Sequence, residues 1–178
     1  MPPLGGTIYS ERQDNYIPAT IIIKGCIGAS AGTEATITAT MFRANDSVEL
    51  DKNNPITITA ATTTYSYEKW IRWYCSVAPD TQCTNFKFWG ANAIPDTGLT
   101  LYVGTTDTGV TPIVTESTLA ATRQDTNYYS LATALAVSGT LTSETDETDY
   151  VVAQLRVTDA ATQGDMTQQT YNYSFDEN

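Results

Sequence analysis

Alternation with a period of two is the feature that most constrains this chain. In residues 65–77, YSYEKWIRWYCSV, the odd positions are Tyr65, Tyr67, Lys69, Ile71, Trp73, Cys75 and Val77, and the even ones include Ser66, Glu68, Arg72 and Ser76. Side chains that alternate in this way point to opposite faces of a strand. The same pattern sets Val151, Ala153, Leu155 and Val157 against Gln154 and Arg156, and Tyr171, Tyr173 and Phe175 against polar partners. It predicts strands over 7–10, 19–24, 35–42, 47–50, 55–61, 65–77, 84–89, 99–103, 110–115, 127–132, 150–158 and 168–175. Turn residues separate them: GASAG at 28–32, DKNNP at 51–55, APDT at 78–81, IPDTG at 94–98 and TDTG at 106–109. The segment STLAATRQD at 117–125 fits a single helical turn with Ser117 as its cap. Many short strands with frequent turns predict an all-β fold, an antiparallel β-sandwich of jelly-roll or Ig-like type with little or no helix. The expected organisation is one domain over residues 1–178, with residues 1–6 as an N-terminal arm.

Threonine dominates the alternating runs, as in TITAT at 36–40 and TITA at 57–60. Its β-branched side chain suits a half-solvated pleated surface. Charged residues are only 16% of the chain, against roughly 25% in an average globular protein, so the exposed faces are hydroxylated rather than charged. The net charge of −11, with a pI near 4.1, argues against binding nucleic acid or anionic lipid, both of which need a basic footprint. No apolar run reaches the length of a membrane span. The start, MPPLGG, has neither a basic region nor an apolar core of the secretory type, so the expectation is either synthesis without export, which the initiator-like Met1 favours, or a leader removed before residue 1.

Aromatic residues and cysteines concentrate in residues 65–90, YSYEKWIRWYCSVAPDTQCTNFKFWG. Ile71, Trp73, Phe86 and Phe88 fall on core-facing positions together with Val151, Leu155 and Val157. Trp70, Tyr74 and Trp89 are left for the opposite face, where they are candidates for an inter-subunit contact or for stacking sugar rings. Leu4 is the expected apolar anchor of the N-terminal arm on a neighbouring subunit. Cys75 and Cys83 flank SVAPDTQ. If this is a hairpin turn, the two residues face each other across paired strands and a disulfide between them is expected. The other reading is two reduced, buried thiols, as a reducing cytosol would keep them. Cys26 reads as a small buried side chain.

The chain has no histidine. That removes Ser-His-Asp and Cys-His nucleophile arrangements and any His-ligated metal. The tripeptide Asp-Thr-Gly, which aspartic proteases use to present a carboxylate, occurs at 96–98 and again at 107–109. The two copies bracket one short strand and are too far apart to share a proton, so both read as turns. The stretch SGTLTSETDETD at 138–149 reads as a polar acidic loop. Its residues Glu144, Asp146, Glu147 and Asp149 lack the spacing of a calcium loop. No catalytic residue, cofactor or metal ligand is therefore expected, and the chain reads as a non-enzyme.

Threonine-rich strands, low charge, an acidic pI and the ending YVVAQLRVTDAATQGDMTQQTYNYSFDEN give the chain its resemblance to small β-sandwich structural proteins of tailed-phage virions. These are capsid decoration (cement) proteins and tail or fibre components. The resemblance implies a non-enzymatic virion-surface subunit, assembled in a host cytoplasm, whose partners are capsid or tail subunits and copies of itself. A subunit of an extracellular filament or adhesin is the alternative, and a carbohydrate-binding module the second alternative.

Overall fold

The computed structural model describes residues 18–26, 33–39, 42–44, 53–106 and 127–178. Nine strands are present among them: β1 (Thr20–Cys26), β2 (Glu34–Thr36), β3 (Thr63–Tyr65), β4 (Lys69–Val77), β5 (Cys83–Gly90), β6 (Leu99–Thr106), β7 (Leu135–Val137), β8 (Tyr150–Thr158) and β9 (Tyr171–Glu177). A single 3-10 turn at Leu131–Thr133, capped by the Ser130 hydroxyl, stands where a strand over 127–132 is expected from the sequence. The expected strands 7–10, 47–50 and 110–115, the helical turn at 117–125, Leu4 and the 1–6 arm lie outside the described residues.

Two antiparallel sheets pack face to face, which makes the protein an all-β sandwich. The larger sheet runs β2-β1-β4-β8, with β6 on the far side of β8 and β3 in line with β4. The smaller sheet runs β7-β5-β9. From β4 to β9, successive described strands alternate between the two sheets. The reason lies in the pattern of the strands themselves. Each has one apolar face, and two such faces bury each other only from opposite layers. The core between the layers holds Trp73, Cys75, Cys83, Phe86, Phe88, Leu101, Val103, Val151, Leu155 and Val157, with Ile71 packed at its margin. Aromatic rings fill its centre. Trp73 meets Phe86 at 5.9 Å and Phe88 at 6.5 Å between ring centroids, and Phe88 stacks on Tyr171 at 5.3 Å. Burying one such side chain is worth about 1.5–3 kcal/mol. The odd face of β4 from Ile71 to Cys75 and the Val151–Val157 face are thus the inner faces, as the alternation predicts, whereas Tyr65, paired with Arg156 of β8, falls on the outer face because the register against β8 shifts by one residue between β3 and β4.

The stretch 65–77 is not one strand. It breaks at Ser66–Glu68 into β3 and β4, both of which pair with the same side of β8. At the break Ser66 N–H donates to Leu155 O (2.8 Å), while Leu155 N–H turns to the Ser66 hydroxyl (3.0 Å) instead of a backbone carbonyl. The Ser66 carbonyl accepts instead from the buried side chain of Gln154 (2.9 Å), and Tyr67 N–H reaches out to Arg43 O (3.0 Å). The segment 55–61, also expected as a strand, pairs with no described strand and ends in a turn at Ala60–Ala61, where Ala61 has φ +56° and Thr62 N–H donates to Thr59 O. It lays Ile56 and Ile58 on the core and turns Thr57 and Thr59 to solvent.

The acidic stretch 138–149 corrects the expectation of a simple loop. It is a clip that joins the two layers. Leu141 exchanges both backbone hydrogen bonds with Cys83 of the smaller sheet (2.8 and 3.0 Å). A few residues on, Cys75 N–H donates to Asp146 O, Thr145 N–H to Cys75 O and Thr148 N–H to Trp73 O of the larger sheet. The turn between is held by the Asp146 carboxylate, which accepts from Thr142 N–H (2.8 Å), Ser143 N–H (2.9 Å) and the Thr142 hydroxyl (3.1 Å). These donors hold the Asp146 carboxyl below the usual carboxylate range.

Candidate functional site

The outer face of the larger sheet gathers the most polar chemistry in the described residues. Lys24 of β1, Glu34 of β2, Arg72 of β4 and Tyr150 of β8 all sit on outward positions, and Glu147 of the clip folds over them. Arg72 Nη2 pairs with Glu147 Oε2 at 2.6 Å, and Arg72 Nε lies 2.8 Å from Glu34 Oε1 as a charge contact rather than an aligned hydrogen bond. Lys24 Nζ reaches Glu147 Oε1 at 3.5 Å and sits 3.3 Å from the centroid of the Tyr74 ring. The Arg72 guanidinium lies 4.5 Å above the Tyr150 ring, whose hydroxyl donates to Glu34 Oε1 at 2.6 Å. Burial, with the neighbouring Glu34, raises the Tyr150 phenol well above its ordinary value, so it remains a donor at all physiological pH. Two cations meet two carboxylates here, and the charges balance on a chain that is otherwise strongly acidic.

Beneath this network lies a second buried cluster of Cys26, Trp70, Tyr150 and Val152. Trp70 meets Tyr150 edge-on at 5.4 Å, and its indole N–H donates to Glu68 Oε2 at 2.6 Å. This corrects the expectation of an exposed aromatic face. Trp70 does point away from Trp73, but it is only 3% exposed, and Tyr74 is half-covered by Lys24. Trp89, half-buried, lies on β5 in the smaller sheet, so it faces the opposite side of the sandwich from Trp70 and Tyr74. The three residues do not share a surface.

Cys75 and Cys83 are brought into one core cluster, but not by a hairpin. Cys75 ends the inner face of β4 in the larger sheet, and Cys83 opens β5 in the smaller one. The intervening turn carries the chain from layer to layer, a distance of about 10 Å between packed sheets. The expected cross-strand geometry is therefore replaced by an interlayer one, and both cysteines are free thiols with no exposed surface. Cys75 Sγ donates to Val77 O at 3.1 Å. Burial and the nearby Asp146 and Glu144 raise its pKa, and burial with Glu177 pushes Cys83 up to about 11. Both are held as neutral thiols at physiological pH, and Cys26 is buried as expected.

The first Asp-Thr-Gly copy is a turn whose carboxylate is engaged. Asp96 accepts from Thr167 N–H (3.1 Å) and the Thr167 hydroxyl (3.2 Å), tying down the 159–170 connection. Gly98 has φ +78°, and a Cβ there would lie 2.3 Å from Ala161 N, so only glycine fits this turn. The second copy begins at Asp107, outside the described residues. Between the sheets, beside Ile71, Phe88 and Leu101, is a cavity of about 30 Å³, enough for roughly one water molecule.

The sequence pattern places Lys24, Arg72 and Tyr150 on outward positions of three separate strands, but it carries no signal that they meet. Glu34 and Glu147 lie in segments that the alternation does not reach. The fold and this face define a β-sandwich whose clustered charges fasten strands to one another. Searches of protein-family models, of curated sequences and of solved structures return no match to this chain.

Proposed function

We propose that this protein is a non-enzymatic structural subunit of a phage or virus particle, a capsid decoration (cement) protein or another component of the virion surface. The observation that carries this reading is how the clustered ionisable side chains are engaged. Arg72, Lys24, Glu34 and Glu147 fasten β1, β2, β4 and the clip, and Asp146 and Asp96 close turns. Such a molecule is built to hold a rigid shape, with hydroxylated faces turned to its surroundings. The carbohydrate-binding reading loses its platform, because Trp70 is buried and Trp89 lies on the other side of the sandwich. The test is twofold. Genes for a portal, a terminase and a major capsid protein are expected beside its own, and mass spectrometry of purified particles is expected to find the chain in many copies. Absence from purified particles, with the protein recovered instead from extracellular filaments, overturns the proposal in favour of a filament subunit.

A further inference from the structure

We infer that the outer edge of β9 is a self-association site at which two copies pair antiparallel across a two-fold axis through Tyr173. Among the described residues β9 pairs only with β5. Its hydrogen-bond phase follows from the ends of the ladder. Asn178 and Gln82 exchange both backbone bonds, and Ala91 N–H donates to Thr170 O. Even-numbered residues of β9 therefore face β5, and the N–H and C=O groups of Tyr171, Tyr173 and Phe175 point to the other side, where no described strand pairs with them. Natural sheets blunt open edges with lysine, proline or a bulge that turns the edge away. This one carries no lysine and no proline, and the bulge at Asn85 lies on the inner partner strand.

The side chains at this edge also call for cover. Tyr171, Tyr173 and Phe175 form an aromatic row on the inward side, stacked on Phe88, edge-on to Trp73 and stacked on Phe86 respectively. Tyr173, in the middle, is 47% exposed.

The charge pattern selects a second copy as the occupant. Pairing in which Tyr173 faces its own symmetry mate sets Tyr171 opposite Phe175 and Asn172 opposite Ser174. Asp176 then falls opposite Thr170 and Glu177 opposite Gln169. Every acidic residue of the edge meets a neutral one, so two copies of a chain of net charge −11 approach here without like charges in contact. The aromatic rows of the two copies run on into each other, and the two three-stranded sheets join into one of six strands. Such a contact is isologous and closed. A single strand pair falls short of the roughly 1,200 Å² of a stable interface, so pairing is expected at high concentration or between copies held side by side on a larger surface. The inference stands apart from the virion reading, which the particle assay above tests separately.

Cysteine cross-linking reads the register directly. Residues facing each other in a hydrogen-bonded antiparallel pair have Cα atoms about 5.5 Å apart, within disulfide range. Tyr173→Cys is expected to give a disulfide-linked dimer on mild oxidation. Asn172→Cys or Ser174→Cys alone should give none, while a mixture of the two should cross-link. The buried native thiols supply no background in the folded chain. A second measurement needs no substitution: amide exchange at Tyr171, Tyr173 and Phe175 in the unmodified protein should slow as concentration rises. Folded Tyr173→Cys that stays monomeric, equal cross-linking by Asn172→Cys alone, or concentration-independent exchange at these amides overturns the inference.

Discussion

Replacing Ser66 with alanine removes one hydroxyl and leaves the shape of the core almost unchanged. Ser66 has no exposed surface, and its hydroxyl does two things at the break between β3 and β4. It accepts Leu155 N–H at 3.0 Å and donates to Tyr67 O at 2.8 Å. The Ser66 carbonyl is directed at the Gln154 side chain (2.9 Å) rather than at the Leu155 N–H. Leu155 is itself buried, at 4% exposure, and water does not reach its N–H. An orphaned buried donor costs about 1–3 kcal/mol, more than the net worth of an ordinary hydrogen bond. We expect Ser66→Ala to lower stability by about 2 kcal/mol, a sizeable part of the roughly 5–15 kcal/mol that holds a domain together. In urea, with a slope of about 2–3 kcal/mol per molar, the midpoint should fall by about 0.5–1 M, followed by tryptophan fluorescence. Ser76→Ala is the control. Its hydroxyl donates to Thr20 O at 2.9 Å in an exposed position, and its loss should stay within about 0.5 kcal/mol. If Ser66→Ala shifts the midpoint no more than Ser76→Ala at an unchanged slope, the argument for the broken strand is wrong.

Arg72→Met should be strongly destabilising, by about 3–5 kcal/mol, because it leaves the Glu34 side chain, only 9% exposed, without its cation; thermal unfolding would show it. Asp146→Asn should flatten the acid limb of the stability curve. The folded carboxyl titrates below its unfolded value, so its contribution is present above pH about 4 and is lost as pH falls through the lower folded pKa; melting temperatures of both forms between neutral and strongly acidic pH would check this. Cys75 and Cys83 should resist thiol reagents in the native protein at pH 7 and react on unfolding. For Cys83 the folded pKa is raised to about 11, so its contribution is complete below the unfolded thiol value and is lost as pH climbs through 11; denaturant titrations in alkaline buffers would read the decline.

Period-two alternation by itself determined that this chain is all-β, and it determined which face of β4, β8 and β9 turns inward. The reason is local. A strand of fixed pleat puts alternate side chains on opposite sides, so Trp73, Val151 and Leu155 reveal their face wherever the strand ends up. What alternation does not encode is which strands become neighbours. The seven residues between Cys75 and Cys83 read from the sequence as a hairpin turn, and the structure makes them a crossing between layers. The choice went to the crossing because β4 and β5 each carry a buried face, and the two faces cover one another only from opposite sheets. The same non-local choice buried Trp70 against Tyr150, residues that lie eighty positions apart. It turned an acidic stretch into the clip between the layers, and it assembled Lys24, Glu34, Arg72 and Glu147 into one balanced group. Charges far apart in the chain attract only after the sheets have brought them within a few ångströms, so their pairing is a property of the tertiary structure alone.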